Sequence, residues 1–451
     1  MGIKASECRH SLALRGLAVM LAMAIAGAAT AGSKATPPTQ RAFPEALGWA
    51  AHTVGGRGGK IIRVTTLAAD GPGSFVEAIN TKGPHIVVFE VGGIIDLEQR
   101  ELKITEPYLT IAGQTAPTPG ITLIKTGIDL ATHDVIIQHL KIRTGTAGAP
   151  KRQGWEPDAF STINAHNVIV DHCSLTWAVD ENLSASGPRF QGKTPEDWRR
   201  AVSHDITFSN NIIAEGLAHA THSKGEHSKG SLIHDNVNNI LIIGNLYAHN
   251  YERNPLFKGG VRGMVINNLI YNPGPRAIHY NLIPEEWYGR EYQNGQLTMI
   301  GNVLRAGPST PHDVALFMLG GSGDIEIYDE DNIAVDRLGN PLPKHGRYTT
   351  SKARILDMAK PALPFGVKPL PAVDVQDAVI ANAGARPWDR DKVDARIVAD
   401  TIEGRGEIID SEEQVGGYPI QKETHQPFNE KDWDLTTMTP KVPFGTRNTP
   451  K

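Results

Sequence analysis

A short apolar run closed by His or Asn recurs along the middle of the chain, and it limits the fold more than any other feature. It spans 134–139, 167–172, 205–211, 239–245, 263–268 and 296–302. Similar runs lie at 86–89, 109–111 and 121–124. Each is too short for a stable helix and is bounded by turn residues. Lined up on its closing residue, the series reads His139, His172, Asn211, Asn245, Asn268 and Asn302, at unequal spacings. A constant strand–Asn–strand core with a loop of variable length in each repeat is the pattern of a solenoid. A buried turn Asn can bond the backbone of the adjacent rung, so that identical side chains stack as a ladder. The expected fold is all-β, a right-handed parallel β-helix. An immunoglobulin-like sandwich would need alternating polarity at short regular intervals, which the chain lacks.

Composition agrees with many short strands and tight turns. Aromatics make up 6% of the 451 residues, against 46 glycines. The formal net charge of −4 gives no global basic field, so nucleic acid is not an expected partner. Lys4, Arg9 and Arg15 precede the apolar stretch 17–28, and Ala29-Thr30-Ala31 has the small-x-small form of a cleavage site. This reads as a signal peptide over 1–31 followed by a flexible leader, 32–41. A secreted protein (extracellular or periplasmic) is expected, a monomer with no membrane segment in its mature form. Cys8 would leave with the signal. Cys173 is then alone, without a disulfide partner, and reads as a small buried residue in a strand.

Residues 42–306 are expected to form the β-helix and 307–451 an extension packed against it. Ser74 and Glu77 suggest a short capped helix over 74–80 that closes the open end of the solenoid. Helical patterns at 374–383 and 389–402 follow a Pro-rich connector, 361–371. Loops 145–157, 187–203, 216–235 and 273–294 would project from the rungs and wall a groove.

Two groups of residues could carry chemistry there. Asp158, Asp180 and Glu181 come from adjacent rungs and supply oxygen ligands suited to a hard cation such as Ca²⁺. A carboxylate pair could also perform acid/base glycoside hydrolysis. Arg253 stands before Asn254-Pro255, a local geometry that directs it outward. With Lys258, Lys224, Lys229, His222 and His227 it suggests a cationic groove for a polyanionic sugar.

From Ala42 to Pro273 the chain resembles the secreted pectate lyases. The resemblance is carried by Ala42-Phe43-Pro44 with Gly55–Lys60, and by Gly71-Pro72-Gly73-Ser74 with Glu77-Ala78-Ile79. Val168–His172 with Ser174, and Arg253-x-Pro255, complete it. It implies Ca²⁺-assisted β-elimination on polygalacturonate, with Arg253 abstracting the C5 proton and Asp158 and Asp180 as calcium ligands. Glu181 is a further candidate ligand, because Ser184 stands where the family commonly has another calcium Asp. Lys258 stands where it has a second Arg. Lys224 is the expected substrate-binding lysine on the preceding loop, with His222 its rival. The alternatives are a calcium-independent pectin lyase on the same fold, a hydrolase using Asp158 and Asp180, and a non-catalytic glycan-binding β-helix.

Overall fold

In the computed structural model, which describes residues 40–227 and 229–444, every third strand pairs with its neighbour one turn on. The expected signal peptide and nearly all of the leader lie outside the described residues. Three parallel sheets result. The first has eleven strands, from Lys60–Val64 to Ile355–Asp357. The second has nine, from Leu102–Ile104 to His345–Arg347. The third has ten, counting the antiparallel Thr424–His425, which pairs with Val91–Asp96. The chain passes from the first sheet to the third, then the second, and back to the first. Inward side chains of all three sheets, such as Val170, Phe208, Ile213 and Phe257, fill one continuous core. The strands run on past Gly307, where the sequence spacing loses them.

The corner between the first and third sheets takes two residues. The first is left-handed: His139, His172, Asn210, Gly244, Asn267, Gly301 and Asp331 have φ between 50° and 69°. Gly, Asn, Asp and His are the residues that tolerate this conformation best. The second residue turns inward and forms the ladder. Asn211 Nδ2 donates to Asn245, Asn245 to Asn268, Asn268 to Asn302 and Asn302 to Asn332, at 2.9–3.1 Å. The register therefore corrects the alignment made on sequence. His139 and His172 belong to the left-handed column, opposite Asn210, and it is Cys173 that stands beside Asn211. The Cys173 amide donates to Asn211 Oδ1 at 2.8 Å, and the Cys173 side chain is buried.

Asn268 takes bonds from the Asn245 amide and side chain and donates to the Ile242 carbonyl. Asn268→Ala is expected to cost about 2–3 kcal/mol, because several buried groups lose partners at about 1–3 kcal/mol each. Asn332→Ala, at the end of the ladder, should cost less. Urea midpoints of the two variants check this.

Two of the three outer faces are covered. Helices Ala372–Asn382 and Lys392–Glu403 lay Val375, Val379, Ile397 and Val398 on the third sheet. Phe43, Leu47 and Trp49 from the N-terminal segment, with Val367, Phe428 and Trp433, cover the first. The expected capping helix forms at Phe75–Ile79, with Ser74 Oγ accepting from the Glu77 amide at 3.1 Å. The second sheet stays open. Its outward positions are mostly polar: Lys103, Asp129, Ser161 and Ser184 follow one another from rung to rung, and His279 follows after Leu232 and Leu256.

Candidate active site

The open sheet is flanked by loops on both edges. On the edge where its strands begin, charged residues of successive rungs form a column across the corner. Ala159 N donates to Glu181 O at 2.9 Å, which sets Asp158 opposite Glu181. Glu181 bridges to Lys229. Gly230 N then donates to Glu252 O at 3.0 Å and Ser231 N to Arg253 O at 2.6 Å, which sets Lys229 opposite Glu252 and Arg253 opposite Gly230, with Arg276 on the rung beyond. From rung to rung the side chains are thus a carboxylate, a second carboxylate, an ammonium, the adjacent Glu252 and Arg253, and a guanidinium. Arg253 has φ 61°, unusual for a long side chain. Beneath the column runs a short amide chain. Asn182 Nδ2 donates to Asn250 at 3.1 Å and Asn250 Nδ2 to Asn254 at 3.0 Å, all three buried. It fixes the residues next to Glu181 and Arg253.

Ligand oxygens of Asp158, Asp180 and Glu181 lie within 4.8 Å of one another. Burial and the Asp180 charge push the Asp158 carboxyl well above its usual range, against hydrogen bonds from Ser184 and Ser161. Burial alone would raise Asp180 as well, but His227, whose Nε2 is 2.8 Å away, then His222 and Arg253, hold it low. Crowded carboxylates of this kind fit a hard divalent cation, which relieves their repulsion. Asp180 also lies close to His222 and His227. His222 Nδ1, however, accepts the Lys224 amide at 3.1 Å, so Nε2 bears the proton and has no lone pair for a metal. That imidazole instead faces Asp180 at 3.7 Å and Glu156 at 3.6 Å. The oxygen set is the one suited to a cation.

On the basic side, Arg253 pairs with Glu181. Burial lowers the Arg253 pKa, while Asp180 and Asp158 work against that shift. Lys229 is 2% exposed, and burial pulls its amine down to about 8, with Arg276 adding to the shift and Glu226 and Asp180 opposing it. Its Nζ lies 3.3 Å from Glu252 and 4.5 Å over the Tyr251 ring. Glu252 also pairs with Arg276, which covers the Tyr348 ring at 4.7 Å. Burial keeps His279, one step along the sheet, neutral.

Asp158, Asp180, Glu181 and Arg253 therefore meet in one place. Lys258 lies farther along the Arg253 strand, with its Nζ 2.7 Å from Glu286. Lys224 is exposed on its loop, and His222 turns toward the acidic residues. Lys229 is the lysine in the column. Sequence reasoning placed it in the loop, although it occupies the same phase of its rung as Glu181. Glu252, Arg276 and the Asn182–Asn250–Asn254 chain also went unnoticed, because each acts through register rather than through a local motif.

No family model matches the sequence. A "probable pectate lyase C" of Aspergillus terreus is 31% identical over 404 residues, covering 87% of this chain and 85% of the relative. Its counterpart in Neosartorya fischeri is 31% identical over 387 residues, covering 83% and 81%. Among solved structures, the major allergen from cedar pollen superposes with a TM-score of 0.52 at 17% identity, over 75% of this chain and 92% of the other. A pectate lyase bound to a hexasaccharide gives 0.52 at 13% identity, over 78% and 99%. The structural matches show the shared β-helix, and the close sequence relatives span most of both chains. With its one open sheet carrying an acidic-to-basic column, the chain belongs to the pectate lyase family and is a polysaccharide lyase.

Proposed function

We propose that the protein cleaves α-1,4-linked polygalacturonate by calcium-assisted β-elimination, leaving 4,5-unsaturated oligogalacturonides. The observation that carries this is the column itself, in which Glu181 stands one rung from a lysine and two from an arginine, with Asp158 one rung behind it. Asp158 and Asp180 would hold calcium, with Glu181 in reach of both the ion and Arg253. When bound, calcium would supply charge neutralisation at the substrate carboxylate and so acidify the C5 proton. Lys229 would bind the uronate, with Arg276 and Lys258 extending the cationic surface. Arg253 would take the C5 proton. Its burial among Lys229 and Arg276 favours the neutral guanidine, although Glu181 must first release it.

The test is the ultraviolet absorbance of the unsaturated uronate during incubation with polygalacturonate, with added Ca²⁺ and with a chelator. A rise that the chelator abolishes is expected. A rise indifferent to the chelator would remove calcium from the reading and favour a pectin lyase. Reducing ends formed without absorbance would overturn elimination.

Lys229 offers a second reading of the base, since an amine titrating at about 8 supplies a free base near neutral pH. The two roles differ in sign. The folded value lies below the usual 10.5, so positive charge is lost as pH rises through about 8: if Lys229 binds the uronate, the Michaelis constant for polygalacturonate should climb there, and if it is the base, kcat should rise instead. Competitive acylation of the free protein, read by mass spectrometry at Lys229, should show a midpoint near that pH.

We also read the protein as exported. Among the described residues no helix is long and apolar enough to cross a membrane. Protein recovered outside the cytoplasm should begin near Gly32, as N-terminal sequencing would show.

A further inference from the structure

Opposite the catalytic column, the strand Ile278–Leu282 leaves the far edge of the open sheet and enters a loop before Gly295–Ile300. Trp287 anchors this loop. It is fully buried, and its Nε1 donates to Asp235 at 2.8 Å. Glu286, beside it, lies 2.7 Å from Lys258 and 3.0 Å from Arg189, which ties the loop to the sheet face. The chain then turns through Tyr288, whose φ is 50° and which is 71% exposed. Arg290 holds its guanidinium 4.6 Å over Phe190 and 5.9 Å from the Tyr288 ring. Among the described residues, Arg290 has no carboxylate at ion-pair distance, unlike Arg189, Lys258, Arg253 and Arg276.

An exposed ring beside an unneutralised guanidinium has an obvious complement. The ring presents a face to the C–H groups of a pyranose. The guanidinium presents a planar fork to a carboxylate. A uronate residue carries both. We propose that Tyr288 and Arg290 form a distal subsite for one galacturonate unit of the polymer, away from the cleavage point. This rests on the reading of polygalacturonate as substrate. The position explains what the subsite would do. Lys258 closes the strand Leu256–Lys258 that follows Arg253, and its contact with Glu286 places Tyr288 beyond that strand's end. A chain that touches both Arg253 and Tyr288 must cross the width of the open sheet. The subsite favours long chains over short ones and leaves the chemical step alone.

The test compares trigalacturonate with long polygalacturonate, using Tyr288→Ala, Tyr288→Phe and Arg290→Ala. For the polymer, the Ala variants should raise the Michaelis constant about five- to tenfold, with kcat unchanged, while Tyr288→Phe stays near wild type. For the trimer, neither constant should move. Affinity electrophoresis in polygalacturonate gels should show faster migration of both Ala variants. Equal losses on trimer and polymer, or no loss on either, would overturn the subsite while leaving wild-type cleavage intact. A wild-type protein that neither retards in the gel nor cleaves the polymer would overturn the substrate reading, and the subsite with it.

Discussion

Arg253→Ala is expected to lower kcat on polygalacturonate about a thousandfold, within the range of 10²–10⁴ typical of a positioned general base. Retardation in polygalacturonate gels should survive, because Lys229, Arg276 and Lys258 remain. The substitution also frees Glu181, whose side chain is 4% exposed, from its cation. A loss of some stability is therefore expected, and melting curves must accompany the kinetics. Arg253→Lys separates the effects, since it keeps a cation near Glu181 but moves the nitrogen that would meet C5. It should fold like wild type and still lose most of kcat. Lys229→Ala makes the contrast. If Lys229 binds the uronate, this variant raises the Michaelis constant and leaves much of kcat. If Lys229 is the base, kcat collapses in Lys229→Ala and survives in Arg253→Lys, and the kcat profile loses its midpoint near 8. The two variants cannot both spare kcat if the column is where the chemistry happens.

The repeat that announces the solenoid was legible because the ladder demands the same residue at the same corner. Asn245, Asn268 and Asn302 repeat visibly, since a buried amide must satisfy a fixed set of backbone groups. The one-residue error at His139 and His172 has a physical origin. Each corner has two special positions side by side, one that favours left-handed residues and one that favours Asn, and Asn is suited to both. At Asn210-Asn211 and Asn267-Asn268 the sequence offers Asn at each, so composition alone does not tell them apart. The later rungs faded for another reason. The strand Ile325–Glu330 ends in charged residues on a half-covered face, and His345–Arg347 is exposed, so the apolar signal thins where the cover does.

Asp158, Asp180 and Arg253 are legible as candidates from carboxylates on adjacent rungs and from an Arg before Asn254-Pro255, with their roles implied by the family resemblance. Lys229 had no such signal. Its place in the column comes from its pairing with Glu181 on the preceding rung and from burial that no residue type announces. The loop of 216–229 also holds Lys224, His222 and His227, and sequence offers no ranking among them. Register decides. His222 and His227 take the acidic side, Lys224 takes solvent, and Lys229 enters the column.

Asp394→Ala should cost about 3–5 kcal/mol of stability, the range for removing one partner from a buried charge pair. Asp394 has no exposure. It accepts from Arg143 at 3.0 Å and from Ser174 Oγ at 2.6 Å, and Arg143 is itself fully buried. Asp391, the N-cap of the same helix, accepts twice more from Arg143 at 2.8 Å and lies 3.5 Å from Lys141. Two cations on the outer face of the third sheet are thus neutralised by two carboxylates at the start of one helix. This arrangement makes the extension part of the fold. Without Asp394, Arg143 keeps one partner and loses the other in a place water does not reach. A double variant, Arg143→Met with Asp394→Leu, should recover much of the loss, because apolar packing can replace a buried pair at little cost. The sign of the pH effect follows from Asp391. Burial alone would raise its pKa, but Arg143 and Lys141 hold it far below the usual 3.8. Its stabilisation is full above that value and is lost as pH falls further below it, so strong acid should loosen this helix. Hydrogen exchange of 392–403 at neutral and acid pH, beside urea midpoints of the single and double variants, decides the matter. A single variant within about 1 kcal/mol of wild type, smaller than any buried pair should give, would mean that apolar contacts such as Ile397 and Val398 hold the extension unaided.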